Sequence, residues 1–281
     1  MTCSWNFGDG GTSSDQNPTH TYTATGTYTV SLTATNSLGT NTATTAGYIT
    51  VTEDQPGGSH TGIALTFDDN YIDQWYTLRP LLQKYNAHAT FFVAGFGNLD
   101  ESQIEELRTL QADGNEIAFH GTHHTEAASY LQNHTVQQYL DYEIIPGLNL
   151  MKNAGFNPVD YAWPGGADAP AAVPALEGYF GHLRDTYYDW DDSIYYTEGS
   201  HQPLIVGIGI DDITYDQSMN INNIYNGIST AKNEDKILIL YGHKPVTNVT
   251  ALYETSYDRI DKILHYASAN NMKTFTVSEI N

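Results

Sequence analysis

From residue 62 onward, short apolar runs alternate with amphipathic segments, and this alternation restricts the second part of the chain to a parallel α/β fold. The apolar runs predict buried strands at residues 63–67, 89–93, 116–119, 159–162, 179–183, 204–208, 236–241 and 273–275. Apolar side chains at helical spacing predict helices at residues 71–86, 100–112, 135–153, 219–232 and 256–270. We therefore expect a parallel sheet, either open or closed as a barrel.

The first 52 residues differ in composition, because they are rich in Thr, Gly and Tyr and contain no Lys, Arg or Glu. Residues 28–35 alternate between apolar and polar side chains, which is the period of a half-buried strand. Residues 36–39 predict a turn, and residues 48–51 predict a second strand. The Pro- and Gly-containing segment 53–61 predicts a linker, so we expect a small antiparallel β domain at 1–52 and a larger domain at 62–281.

Charge and cysteine content exclude several classes of function. Eleven Lys and Arg against 33 Asp and Glu give a formal net charge of −22, which repels nucleic acid and anionic lipid surfaces. Two interpretations stay open: adaptation for solubility or salt, and attraction of a cationic polymer such as a partly deacetylated amino-sugar chain. The single cysteine, Cys3, excludes an intramolecular disulfide and a multi-cysteine zinc site. Residues 1–5 lack the pattern of a signal peptide, so we expect this start to lie within a longer chain.

Two polar clusters follow predicted strands, at the strand ends where barrels place functional residues. Asp68 and Asp69 directly follow the apolar run 63–67. One carboxylate can bind a metal while its neighbour takes a proton. The alternative is an acidic turn that caps the next helix, because such a turn has the same pattern. His120 and His124 follow 116–119 at a spacing that places two imidazoles on one face, although a solvated turn remains the alternative. With Asp69 they would form a three-ligand set, typical of a catalytic zinc.

Two weaker clusters follow later strands. After strand 159–162 come Trp163, Pro164 and two glycines, where the Gly165 N–H could stabilise an oxyanion, although an ordinary turn is the simpler interpretation. His243 lies two residues after the run 236–241 and is a candidate general acid, although a lone histidine is more often structural.

In this order the motifs resemble the polysaccharide deacetylases, the NodB-homology group within carbohydrate esterase family four, over residues 62–281. Thr-Phe-Asp-Asp at 66–69 and Gly-Asn-Glu-Ile-Ala-Phe-His-x-x-x-His at 114–124 carry most of the resemblance. It implies a distorted (β/α)7 barrel with a divalent metal, most often Zn²⁺, with Co²⁺ or Ni²⁺ as alternatives. The substrate would be an acetylated polysaccharide or oligosaccharide.

The resemblance also implies a role for each matching residue. Asp69, His120 and His124 would be the metal ligands, and Asp68 the general base that takes a proton from the attacking water. The Gly165 N–H would stabilise the oxyanion, and His243 would protonate the leaving amine.

The sequence departs from the family at the third motif. Ala162 stands where many members have an Arg that pairs with the base, and Asn70 stands where Gly is frequent. We hypothesise that Arg184, one of four Arg in the chain, reaches into the site and pairs with Asp68. The acidic partner of His243 is left open among Asp185, Asp211 and Asp212, with the last two favoured because they end the apolar stretch 204–210.

Aromatic residues are frequent in the loops, and sugar rings stack on aromatic faces. We predict substrate contacts for these residues: Trp163, Pro164, Trp190, Asp211 and Asp212. Further aromatics that could contribute to a carbohydrate groove are Tyr187, Tyr188, Tyr195 and Tyr196.

The first domain carries a second resemblance. Trp-Asn-Phe-Gly-Asp-Gly at 5–10, His-Thr-Tyr at 20–22 and Gly-Thr-Tyr-Thr-Val at 26–30 resemble the second half of a PKD domain, an immunoglobulin-like β-sandwich. The remaining sheet is expected to have an unprotected edge, with Asp9 and His20 as turn and packing residues. This resemblance implies an extracellular or cell-surface protein.

The sequence thus predicts a metal-dependent hydrolase, expected to be monomeric, that removes N-acetyl groups from a chitin-like polymer of N-acetylglucosamine and releases acetate. Alternatives are an O-acetyl esterase acting on acetylated xylan and a deacetylase of a galactosamine exopolysaccharide. A non-catalytic carbohydrate-binding protein is the second alternative; the absence of an Arg at position 162 favours it, and the retained acid and base oppose it.

Overall fold

The computed structural model describes residues 2–16, 18–22, 24, 26–36, 39–51, 61–187, 189–197, 200, 202–213 and 220–280. Contacts between residues divide the chain into two compact units, Met1–Gly58 and Ser59–Asn281. Most of the predicted linker lies outside the described residues, as does Tyr188, and the domain boundaries at 52 and 62 stay predictions.

The first unit is a four-stranded antiparallel sheet in the order β2-β1-β3-β4. Its strands are β1 Thr2–Asn6, β2 Thr12–Ser13, β3 Gly26–Asn36 and β4 Gly39–Val51. Phe7 is buried and stacks on the His20 ring at 4.1 Å, and His20 pairs with Asp9 at 2.7 Å. These contacts fit packing and turn functions for Asp9 and His20. Strand β4 lies at the edge of the sheet, and its residues 39–48 are exposed.

The second unit alternates strands with helices. Its strands are β5 Gly62–Asp69, β6 Thr90–Val93, β7 Glu116–Phe119, β8 Asp160–Ala162, β9 His182–Tyr187, β10 Tyr195–Tyr196, β11 Leu204–Gly209, β12 Ile237–Gly242, β13 Lys244–Val246, β14 Glu254–Ser256 and β15 Lys273–Phe275. Its α-helices are α1 Ile72–Tyr76, α2 Arg79–Lys84, α3 Glu101–Ala112, α4 Ala127–Tyr130, α5 Val136–Tyr139, α6 Ile145–Asn153, α7 Val173–Leu176, α8 Ile221–Glu234 and α9 Tyr257–Ala269. A π-helical turn, Leu140–Ile144, joins α5 to α6. Single 3₁₀ turns lie at Phe96–Asn98, Pro164–Gly166, Asp192–Ile194 and Val277–Glu279.

Seven parallel strands in the described part of this unit close into a barrel in the order β5-β6-β7-β8-β9-β11-β12. Strand β12 returns to β5 in a continuous register from Ile237 opposite Gly62 to Gly242 opposite Phe67. The barrel is distorted at its amino end, where β15 adds to the first residues of β5 and β10 pairs antiparallel with β12. The expected distorted α/β barrel is confirmed.

Small side chains inside the barrel leave room for a large charged one. Ala64, Ala118 and Ala162 point into the interior together with Phe92 and Ile239, and all five are buried. Arg184 on β9 is fully buried in the same interior, with its guanidinium 5.2 Å from the centre of the Phe92 ring. A much larger apolar core lies between the barrel and its surrounding helices.

Three predicted elements differ from the observed ones. The predicted helix 135–153 is divided into α5 and α6 by the π-helical turn. The predicted helix 71–86 is two short helices, α1 and α2, and Pro80 lies in the first turn of α2, where its missing N–H costs no helical bond. The predicted strand 179–183 is wrong, because the N–H groups of Tyr179 and Phe180 both donate to the Leu176 carbonyl and complete the turn after α7. Strand β9 begins at His182, so Arg184 lies within the strand and not beyond it. None of the described helices combines the length and apolar character needed to cross a membrane.

Candidate active site

The carboxyl ends of the barrel strands surround a cavity of about 200 Å³. Its lining brings together residues from β5, from the loops after β7 and β8, from the ends of β9 and β12, and from the segment before β14: Asp68, Asp69, His120, His124, Gly165, Gly166, Thr186, Tyr241, His243 and Tyr253. Six of the twelve site residues predicted from the sequence therefore line one cavity. Parallel strands explain this convergence, because their carboxyl ends meet at one edge.

Asp69, His120 and His124 form a cluster of potential metal ligands. One ligand atom from each lies within 4.8 Å of the others. The Asp69 Oδ1 atom is 3.2 Å from His124 Nε2 and 3.8 Å from His120 Nε2. Both Asp69 and His124 have left-handed backbone conformations, with φ of +86° and +59°. Such strain in non-glycine residues is concentrated at functional sites.

The hydrogen bond of His120 fixes which nitrogen faces the cluster. His120 Nδ1 is 2.9 Å from the Ala162 carbonyl oxygen, and because a carbonyl only accepts, this nitrogen carries the proton. Burial lowers the pKa of His120 to about 4, so the ring is neutral at pH 7. The Nε2 lone pair is therefore free toward Asp69. One carboxylate and two imidazoles, with one ring oriented by a backbone carbonyl, fit a divalent transition metal.

Asp68 and Arg184 form a buried ion pair beside this cluster. The Arg184 Nη2 atom donates to both carboxylate oxygens of Asp68, and both side chains are almost completely buried. Arg184 on β9 is the register partner of Ala162 on β8. The guanidinium thus reaches Asp68 from the strand next to the one where the family usually carries its Arg.

Asp211 orients His243. The Asp211 Oδ2 atom is 2.5 Å from His243 Nδ1, and Oδ1 accepts the His243 backbone N–H at 3.1 Å. Thr255 donates to the same Oδ1, and the Trp75 indole N–H donates to the His243 carbonyl. Burial lowers the pKa of His243, but the hydrogen bond and charge of Asp211 outweigh burial, and the net pKa is raised. His243 therefore holds its proton to a higher pH than a free histidine.

The backbone at Gly165 and Gly166 approaches the cavity closely. Both residues have positive φ, +68° and +59°. A Cβ atom on Gly166 would lie 1.9 Å from Thr186 Oγ1, so only glycine fits at this position. The chain thus exposes peptide groups, not side chains, at this side of the site.

The relationship to known proteins agrees with this geometry. Residues 56–176 match the family model for polysaccharide deacetylase, and residues 1–51 match that for the PKD domain. The chain carries a polysaccharide deacetylase domain. The deacetylase match ends before Arg184 and His243. A search of curated sequences gave no significant match.

Solved structures share the fold of the deacetylase domain. The Xyl-CE4 domain of a multidomain xylanase from the hindgut metagenome of Trinervitermes trinervoides has 17% identity and a TM-score of 0.52 over 78% of this chain and 89% of that one. A family 4 acetyl xylan esterase from Clostridium thermocellum, solved with cobalt, has 19% identity and a TM-score of 0.52 over 78% and 89%. The catalytic domain of a peptidoglycan N-acetylglucosamine deacetylase from Eubacterium rectale has 15% identity and a TM-score of 0.53 over 83% and 94%.

None of the five residues predicted to contact substrate lines the cavity, and their part in binding stays a prediction. Trp163 is buried in the apolar core, so the indole presents no face to a sugar, and Pro164 is buried as well. Trp190 packs against Gly227 on α8, outside the cavity lining. Asp212 accepts from Arg259 and from the Ser256 N–H, which is a structural arrangement.

Sequence analysis missed Tyr253. Its side chain is 43% exposed, it lines the cavity, and its ring lies edge-on to His243 at 4.8 Å. Its φ of +61° is rare for a bulky residue. No motif or periodicity marks this position in the sequence.

Proposed function

We propose that this enzyme removes N-acetyl groups from an amino-sugar polysaccharide or oligosaccharide, such as a chitin-like polymer of N-acetylglucosamine, and releases acetate. One observation carries the proposal: a three-ligand cluster, an ion-paired carboxylate and an Asp-supported histidine surround the same small cavity. Amide hydrolysis needs a base for water and an acid for the leaving amine, on opposite sides of the carbonyl.

Asp69, His120 and His124 would hold the metal, for which we propose Zn²⁺, with Co²⁺ or Ni²⁺ as alternatives. Two imidazoles and one carboxylate are a ligand set that zinc accepts, with coordination positions left for water and substrate. When bound, a divalent cation here supplies Lewis-acid polarisation of the acetyl carbonyl and eases deprotonation of water.

The remaining residues would supply the base, the hydrogen bond to the oxyanion and the acid. Asp68, held by Arg184, accepts the proton of the attacking water. The Gly165 N–H donates to the oxygen that becomes negatively charged as the carbonyl is attacked. His243 gives its proton to the leaving nitrogen, and Asp211 stabilises the charged imidazolium and fixes its orientation.

We expect Asp211→Asn to shift the alkaline limb of the pH–rate profile to lower pH. His243 must be protonated to act as the acid, and Asp211 raises its pKa, so removing the carboxylate lowers that pKa and activity is lost earlier as pH rises. The measurement is kcat/KM for acetate release between pH 5 and 10. Asp212→Asn, which breaks the neighbouring Arg259 pair, is the matched control and should leave the limb in place. An unmoved limb in Asp211→Asn would argue against His243 as the acid.

The shape and charge of the site favour a polymer that binds mostly outside the cavity. A volume of about 200 Å³ is below the usual range for sites that enclose a whole ligand, so it suits an acetyl group and part of one ring. Tyr253 at the rim could stack on a neighbouring sugar. The net charge of −22 would attract the cationic product of N-deacetylation more than an acidic polymer.

The central test is acetate release from N-acetylglucosamine oligomers by metal-stripped protein, before and after addition of Zn²⁺ or Co²⁺. We expect no release before addition and restored release after it. Acetylated xylan and an acetylated galactosamine polymer belong in the same panel. Faster release from xylan would replace the N-deacetylase proposal by an O-acetyl esterase. Carbohydrate binding with no release from any substrate would favour the non-catalytic alternative.

We further propose that the protein acts outside the cell or at its surface and is monomeric. PKD and carbohydrate esterase modules are compatible with an extracellular protein.

A further inference from the structure

Glu143 is a buried carboxylate beside the loop that carries both histidine ligands. It lies in the π-helical turn between α5 and α6, and its side chain is completely buried. Turns of this kind expose backbone groups that a regular helix would pair internally, and they are frequent at functional sites.

The loop between the two histidines is tied to this one residue. Glu143 Oε2 accepts the His123 N–H at 3.0 Å, and Oε1 accepts the Thr125 N–H at 2.8 Å. The Glu143 carbonyl accepts from the Thr122 N–H at 2.9 Å and from its hydroxyl at 2.7 Å. A Cβ on Gly121 would lie 2.1 Å from Oε1, so the carboxylate occupies the space that glycine leaves.

The Thr122 hydroxyl also inserts into the helix. It accepts the Gly147 N–H at 2.9 Å while donating to the Glu143 carbonyl, and these two groups are four residues apart, the spacing of a helical hydrogen bond. The hydroxyl therefore bridges two groups of the helical ladder, which fixes the loop to the helix.

His124 needs such support more than His120 does. The His120 side chain is 2% exposed, and its ring is held by the Ala162 carbonyl, whereas the His124 side chain is 42% exposed. The φ of +59° at His124 is unfavourable and must be held by its surroundings. The peptide N–H groups on either side of His124, at His123 and Thr125, are the two that donate to the Glu143 carboxylate.

We propose that Glu143 is a positioning residue that holds His124 in the geometry needed to bind the metal. This inference rests on the metal site of the proposed function. Glu143 touches neither metal nor substrate; it acts through the backbone on either side of His124, and Thr122 connects it to the helix.

The test is the affinity of the metal-stripped protein for Zn²⁺, measured by competition with a chromophoric chelator and without substrate. Glu143→Gln keeps the shape of the side chain but replaces one acceptor oxygen by an amide NH₂ that opposes a backbone N–H. We expect about 10- to 100-fold weaker Zn²⁺ binding, the usual effect of losing an outer partner of a metal ligand. Thr122→Val should weaken binding in the same direction, and Thr122→Ser, which retains the hydroxyl, should restore it.

Glu116→Gln is the matched control, because Glu116 is a largely buried carboxylate at the other end of the barrel that accepts from Thr90 and from the Ser278 N–H. It should leave Zn²⁺ affinity unchanged. If Glu143→Gln lowers the melting temperature yet binds Zn²⁺ like the wild type, Glu143 is only structural and the proposal is overturned. If Glu143→Gln does not fold, the two Thr122 variants decide. Wild-type Zn²⁺ affinity in Thr122→Val would overturn the proposal, and weaker binding that Thr122→Ser restores would support it. A wild-type protein that binds no Zn²⁺ would instead refute the metal site and the proposed function with it.

Discussion

Asp68→Asn should lower the rate of acetate release by about 10²- to 10⁴-fold, the usual effect of losing a positioned general base, while Zn²⁺ affinity stays close to that of the wild type. The amide has the size of the carboxylate but cannot take a proton from water. The metal cluster consists of Asp69, His120 and His124, so it keeps all its ligands. The measurements are acetate release at saturating Zn²⁺ and chelator competition on the same preparation.

Two further variants separate this effect from other losses. Asp69→Asn should lose Zn²⁺ affinity together with activity, because it removes a ligand. Asp113→Asn breaks a partly buried Arg79 ion pair away from the cavity and should leave both quantities unchanged. If Asp68→Asn retains wild-type turnover, the base is another group and the proton transfers proposed above are wrong.

The clusters that could be predicted from the sequence are local ones. Asp68 and Asp69 directly follow an apolar strand, and His120 and His124 lie within five residues, so short segments bring each pair together. The barrel order then brings the two pairs to one edge. Arg184 lies 116 residues from Asp68, and the sequence pointed to it mainly because the chain has only four Arg.

The predicted contact residues that the structure places away from the cavity lining differ from the other predicted site residues in side-chain direction, which composition does not show. Ala162 points into the barrel, so the next residue, Trp163, faces the helical layer and is buried there. Asp211 and Asp212 are adjacent and both follow β11, but only Asp211 faces His243, while Asp212 pairs with Arg259. Glu143 was not predicted because its contact with Thr122 requires a π turn, and no apolar periodicity indicates one.

Arg184→Ala should lower both stability and activity strongly. Removing one partner of a buried ion pair leaves the other charge uncompensated, which typically costs about 3–5 kcal/mol of the free energy of unfolding. Without the guanidinium, Asp68 also loses the group that holds it in place beside the metal cluster, so it is a poorer base for the attacking water. We expect a lower melting temperature and a lower kcat/KM for acetate release. Thermal unfolding and kcat/KM measure the two effects.

Register pairing suggests a decisive control for this variant. Ala162 lies opposite Arg184 on the neighbouring strand, and deleting the Arg184 side chain vacates interior volume beside it. The double variant Ala162→Arg with Arg184→Ala supplies a guanidinium from β8 to the same buried carboxylate, and it should recover part of the stability and part of kcat/KM. Ala162→Arg alone should be destabilising, because two guanidinium groups would then share one carboxylate in the closed interior. If Arg184→Ala keeps the wild-type kcat/KM while only its melting temperature falls, the guanidinium fills and neutralises the barrel interior without positioning the base, and other groups at the cavity hold Asp68 in place.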